Sequence, residues 1–128
     1  MEIGKIASIT VTCDKTNVAG NLGSGDVDVF ATPSMIANME YAAAKCVLED
    51  LEEGQTTVGT YLDVKHTAAT PMGMKVTCYA ELTGVEGKML TFKVWAEDEC
   101  GPIGEGTHGR AIINREKFLA RVNAKKAQ

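Results

Sequence analysis

Three side chains of different chemistry stand at marked places in well-patterned segments: the hydroxyl of Thr32, the carboxylate of Glu40 and the imidazole of His66. Together they are the parts of an acyl-transfer site, in which an oxygen nucleophile needs a base and the base needs an orienting or charge-bearing partner. Spacing alone does not bring them together, and each has a structural alternative. Thr32 precedes Pro33 and a run of helix formers, so it reads as an N-cap, and capping alone would account for it. The same place favours anionic species, because backbone N–H groups and the helix dipole converge there. Glu40 lies in an apolar arc among Ile36, Ala43, Ala44 and Val47. A carboxylate there must be paired, hydrogen-bonded or kept neutral, as a structural partner or as a site residue. His66 continues an alternating face of Val58, Thr60, Leu62 and Val64, so it points inward at a strand end, as a core histidine or a catalytic one. His108 and Arg110 share one face of a later strand, beside Gly106 and Gly109. They suit either a phosphate or pairing with surface Asp or Glu.

The element that must position the first two is the stretch from Val29 to Leu48. Helix formers without an interior Gly or Pro predict a helix from Ser34 to about Glu52. Its polar face is narrow (Asn38, Tyr41, Lys45, Glu49, Glu52), and the other two-thirds is apolar, so something must wrap it. Strands are expected on either side. Residues 3–13 alternate before the helix, and four segments follow it, of which Met74, Val76, Cys78, Ala80 and Leu82 form the clearest period-two face. The turn Thr70-Pro71-Met72-Gly73 and the hairpin signal at Val85-Glu86-Gly87 read as the joints of a four-strand antiparallel meander. Glycines 104, 106 and 109 within the last strand mark a bulge or a close approach by a ligand or another backbone. Residues 17–26 read as a mobile, Gly-rich connection able to serve as a lid, and Glu116 to Asn123 as a short tail helix. The pattern is α+β: a long central helix wrapped by a curved antiparallel sheet, the hotdog arrangement, in one domain over 1–128.

Composition narrows the function classes. A net charge of −4 argues against nucleic-acid binding through a basic surface. The four cysteines have no C-x-x-C spacing, so no metal site is expected. Cys46 and Cys78 fall on core faces as small hydrophobes. With no signal peptide and no apolar run near the roughly 20 residues of a membrane span, a cytoplasmic protein without membrane partners is expected.

Val29-Phe30-Ala31-Thr32, Met39-Glu40, Val58-Gly59-Thr60, His66-Thr67-Ala68-Ala69-Thr70-Pro71-x-Gly73 and Gly106-Thr107-His108-x-Arg110 resemble, in this order, the fluoroacetyl-CoA thioesterase-like family of hotdog proteins. The likeness covers roughly residues 27–122. It implies an acyl-CoA thioester hydrolase with Thr32, Glu40 and His66 as the catalytic set. It further implies that Gly59 offers a backbone N–H to the thioester oxygen, and that the protein is a homodimer or higher oligomer with CoA near the subunit interface. His108 and Arg110 are the residues assigned to substrate binding, and CoA enters only as part of the substrate, with no separate cofactor. The family's fluoroacetyl-selective type has a lid containing phenylalanines, whereas Val18 to Gly25 here holds no aromatic, so a different short or medium acyl group is expected. The alternatives are a non-catalytic acyl-CoA-binding protein and an acyl-thioester dehydratase or hydratase.

Overall fold

The computed structural model describes residues 1–127. Strand β1 (Ile6–Thr12) is followed by a one-turn helix α1 (Ala19–Leu22) and the long helix α2 (Thr32–Val47), which runs into a 3-10 turn at Leu48–Asp50. Strands β2 (Gln55–His66), β3 (Lys75–Glu86), β4 (Met89–Asp98) and β5 (Gly101–Asn114) follow, then the tail helix α3 (Arg115–Asn123). The strands form one antiparallel sheet in the order β1-β3-β4-β5-β2. A long helix lying on such a sheet is the hotdog fold.

The helix and the sheet share one core. Met35, Met39, Ala42, Ala43, Cys46 and Val47 of α2 are fully buried, together with Val76, Cys78, Ala80 and Leu82 of β3 and Leu90, Phe92, Val94 and Ala96 of β4. This is the period-two face of β3 read from the sequence. Burial pushes the Cys78 thiol up to about 12, so it is an inert core thiol.

Three expectations need correction. Consecutive strands β2 and β3 are not partners: β1 holds the outer edge of β3, and β2 crosses to pair with β5 at the far edge. The Pro71–Gly73 turn therefore ends a crossover rather than a hairpin. The helix is also less wrapped than its composition predicts. Its packing is against β1, β3 and β4, and Ala37, Glu40, Ala44 and Leu48, at i, i+3, i+7 and i+11, form a stripe that stays partly or wholly exposed. The 17–26 stretch, finally, is not all loop. It contains α1, buries Val18 and Ala19, and is tied back by the Val18–Phe30 bridge and by the Ala19 amide donating to the Val29 carbonyl.

Glycines in β5 admit neighbours rather than a ligand. A Cβ at Gly104 would stand 2.6 Å from the Met35 sulfur, and one at Gly106 would collide with the Asp63 carbonyl of β2. The close approach of another backbone inferred for this strand is thus present, and it holds α2 and β2 against β5. β2 itself bulges. Its register on β5 shifts between Gly59 and Tyr61, leaving Thr60 as the extra residue. A bulge exchanges the two faces of a strand, so Thr57 and Gly59 face inward before it and Leu62, Val64 and His66 after it. Strict alternation had placed Val58 and Thr60 on the inner face.

Candidate active site

The expected capping role of Thr32 is not its role in the structure. Ala31 is the N-cap, no side chain bonds the first amides of α2, and Thr32 is the first helical residue with Pro33 behind it. The Thr32 hydroxyl instead lies 2.8 Å from His66 Nδ1. Two features bring them together. The N-terminus of α2 stands beside the end of β2, and the bulge at Thr60 sets His66 inward. The first N–H groups of α2 remain free of capping side chains at the same place.

Burial pushes the His66 imidazole below its ordinary value, an effect that the Ala68 backbone opposes. The ring is therefore neutral near pH 7, with Nδ1 able to accept the Thr32 proton. That tautomer carries a hydrogen on Nε2, which is buried and, with the Ala68 backbone near but outside hydrogen-bond geometry, has no hydrogen-bond partner among the described residues. A buried polar atom left unpaired costs stability, so it marks a place where another group belongs. Thr32 and His66 open on a cavity of about 340 Å³. Ala19, Ser24, Gly25, Val27 and Phe30 also line it.

Glu40 belongs to a second cluster. It lies eight positions after Thr32 in the helix, about 12 Å along the axis. Its carboxylate lies 3.9 Å from the Arg110 guanidinium, with 42% of its side chain exposed. Each Arg110 nitrogen also has a partner of its own. Its Nε donates to the Thr57 hydroxyl at 2.9 Å, one terminal nitrogen donates to the Thr57 carbonyl at 3.0 Å, and the other lies 3.2 Å from His108 Nε2. Burial pulls Arg110 down from its ordinary value while Glu40 opposes the shift. His108 Nδ1 lies 2.8 Å from the Tyr61 carbonyl, which can only accept. Nδ1 therefore carries the hydrogen, and Nε2 accepts from Arg110. Neither His108 nor Arg110 is a surface group, at 1% and 8% exposed. Arg110 pairs with a carboxylate from the interior, and His108 contacts Arg110 and the Tyr61 carbonyl.

Gly59 closes this cluster. A Cβ built there would lie 3.0 Å from the Glu40 carboxylate and 3.4 Å from the His108 ring. The absent side chain is what lets Glu40 lie against β2. The structure thus brings Thr32 to His66, and Glu40 to Gly59, Arg110 and His108, in two separate groups. Thr57 and the Tyr61 carbonyl are members of the second group that sequence reasoning missed. The bulge that turns them inward has no sequence signature beyond Gly59 itself.

Comparisons with known proteins agree with this fold. A model of the family described as fluoroacetyl-CoA-specific thioesterase matches residues 12–116. The fluoroacetyl-CoA thioesterase of Streptantibioticus cattleyicolor is 48% identical over 98 residues, which are 77% of this chain and 70% of that protein. Among solved structures, a phenylalanine-to-alanine mutant of the fluoroacetyl-CoA-specific thioesterase FlK superposes with a TM-score of 0.92 at 38% identity, covering 98% of this chain and 97% of the other. The same mutant in complex with fluoroacetate and CoA gives a TM-score of 0.87 at 38% identity, covering 92% of this chain and 99% of the other.

Proposed function

The chain belongs to the fluoroacetyl-CoA-specific thioesterase family and is a hotdog-fold acyl-CoA thioester hydrolase; from this premise we propose that it cleaves short or medium acyl-CoA thioesters with Thr32, His66 and Glu40, in a site completed by a second copy of the chain. The observation that carries the reading is the 2.8 Å contact between the Thr32 hydroxyl and His66 Nδ1 at the mouth of a cavity. The imidazole takes the proton of the attacking oxygen, which is the Thr32 hydroxyl or a water held by it. The tetrahedral intermediate collapses with loss of the CoA thiolate, which takes that proton back from His66. The products are a carboxylic acid and the free thiol, directly or after hydrolysis of an acyl-Thr32 ester. The uncapped amides of α2 and the backbone N–H of Gly59 are the donors assigned to the thioester oxygen.

Glu40 stands too far along α2 to serve the Thr32–His66 pair of its own chain. Its exposed stripe with Ala37, Ala44 and Leu48, and the half-open β2 edge with Tyr61 and Leu62, suit burial against a second copy. In an isologous homodimer, Glu40 and Gly59 of one copy then face Thr32 and His66 of the other. The cavity lies at the small end of ligand clefts, and its wall of Ala19, Ser24, Gly25 and Val27 supports a short or medium acyl group. The free thiols and the CoA substrate suit a cytoplasmic setting. Among the described residues, no helix is long and apolar enough to cross a membrane.

The test is thiol release from a panel of acyl-CoAs of increasing chain length, run beside sedimentation. The reading expects turnover that peaks at short or medium chains in a dimeric sample. Binding without thiol release, or full activity in a stable monomer, contradicts it.

A further inference from the structure

The Glu40 cluster contains more organisation than an ion pair needs. Arg110 could reach a half-exposed carboxylate from many rotamers, yet its guanidinium is held on three sides within the sheet. Thr57 fixes two of its nitrogens, and His108 Nε2 takes the third, the same nitrogen that faces Glu40. His108 can serve as that acceptor only because its own Nδ1–H is committed to the Tyr61 carbonyl, which the bulge at Thr60 turns inward. The ring is fully buried and packs against Phe92, with centroids 6.2 Å apart, so it has no freedom to turn. We propose that His108 is a positioning residue for thioester hydrolysis: committed to Tyr61 through Nδ1, its Nε2 orients the Arg110 guanidinium so that its positive edge faces the Glu40 carboxylate.

The inference rests on the reading above that Glu40 takes part in the reaction. Its content is directional. The chain Tyr61 carbonyl, His108, Arg110, Glu40 passes orientation from a strand bulge to a carboxylate on a helix, and His108 is the link whose two nitrogens do different jobs. A charged His108 could not do the second job, since an imidazolium has no acceptor. Burial, joined by the Arg110 charge, pushes His108 below its ordinary value against opposing contributions from Tyr61 and Glu40, so it remains an acceptor at neutral pH.

Two isosteric substitutions separate the two nitrogens. In His108→Asn the amide occupies the Nδ1 position and keeps the bond to Tyr61, but nothing remains to accept from Arg110. In His108→Gln the side-chain carbonyl reaches the Nε2 position and keeps that acceptor, while the bond to Tyr61 is lost. Steady-state kinetics on the best acyl-CoA, with melting curves for each variant, should show kcat of His108→Asn lowered about tenfold at unchanged KM, since bonds to charged groups are worth about that much. His108→Gln keeps the acceptor but loses its anchor on Tyr61, so it should lose kcat about threefold, less than His108→Asn, and melt earlier. Equal losses in the two variants, or a wild-type kcat in His108→Asn, overturn the proposal. Should neither fold, Arg110→Lys keeps the charge without the fork and should also lose about tenfold in kcat; an unchanged kcat there overturns it too. Glu40→Gln run in parallel separates the levels. If it is slow while His108→Asn is not, only this inference fails, and if it turns over at the wild-type rate, the role of Glu40 falls with it.

Discussion

The two ends of this site are finished to different degrees. Around Arg110 the polar groups are matched: Thr57, Tyr61, His108 and Glu40 account for the guanidinium and both imidazole nitrogens. Around Thr32 they are not. Among the described residues, the hydroxyl is exposed, His66 Nε2 is buried without a partner, and the first turn of α2 has no capping side chain. On the proposed reading, the satisfied cluster is a mount, and the unsatisfied one takes the substrate and a further carboxylate. Both draw on the same helix and the same strand, and the bulge at Thr60 lies within the satisfied cluster, between Gly59 and Tyr61.

The comparison breaks most severely at the unsatisfied end. His66→Ala removes the base and should lower kcat about a thousandfold, within the range typical of acid–base groups, while the melting temperature changes little. Because burial depresses His66, the wild-type rate should rise with pH through a value below the ordinary 6.5 and level off above it. The sign follows from its role, since only the neutral ring accepts a proton. A pH–rate profile still climbing steeply above pH 7 would contradict that assignment.

Next comes the mounted charge. Glu40→Gln should lower kcat about a hundredfold. With 42% of the Glu40 side chain exposed and the ion pair at 3.9 Å, stability should change by less than about 1 kcal/mol. A variant that melts well below the wild type but keeps its rate while folded would make Glu40 a structural partner only. The smallest effect is expected at Gly59→Ala. Its methyl would meet the Glu40 carboxylate at 3.0 Å and the His108 ring at 3.4 Å, so the carboxylate must move by a few tenths of an ångström. A loss of about tenfold in kcat, with the fold intact, is the expected kinetic result.

Much of this was legible in the sequence for identifiable reasons. α2 and the β3 face show their periods plainly, because both bury one side against a continuous core. Thr32, Glu40 and His66 stand out because each is a polar residue at a place where an apolar or capping one would do. What could not be read has equally local causes. Period-two reasoning assumes an unbroken ladder, so the extra residue at Thr60 reversed the inner face of β2 for Thr57 to Thr60. Strand order depends on which edge of β3 is already taken by β1, a long-range fact with no local signal. The destination of Arg110 hung on the same bulge, since Thr57 and the Tyr61 carbonyl become its surroundings only once β2 is reversed.

The central claim is that the mounted carboxylate of one copy serves the hydroxyl–imidazole pair of another, and mixing two inactive variants tests it most directly. Thr32→Ala and Glu40→Gln are purified separately, each with turnover near background, then dissociated, mixed in equal amounts and reassociated. In a mixed isologous dimer, one of the two sites contains an intact Thr32 and His66 from one copy and an intact Glu40 from the other. Half the dimers are mixed and half their sites are whole, so about a quarter of the wild-type activity should return. No recovery, in a sample shown by mass spectrometry to contain mixed dimers, would mean that each copy uses its own Glu40 and would contradict the account.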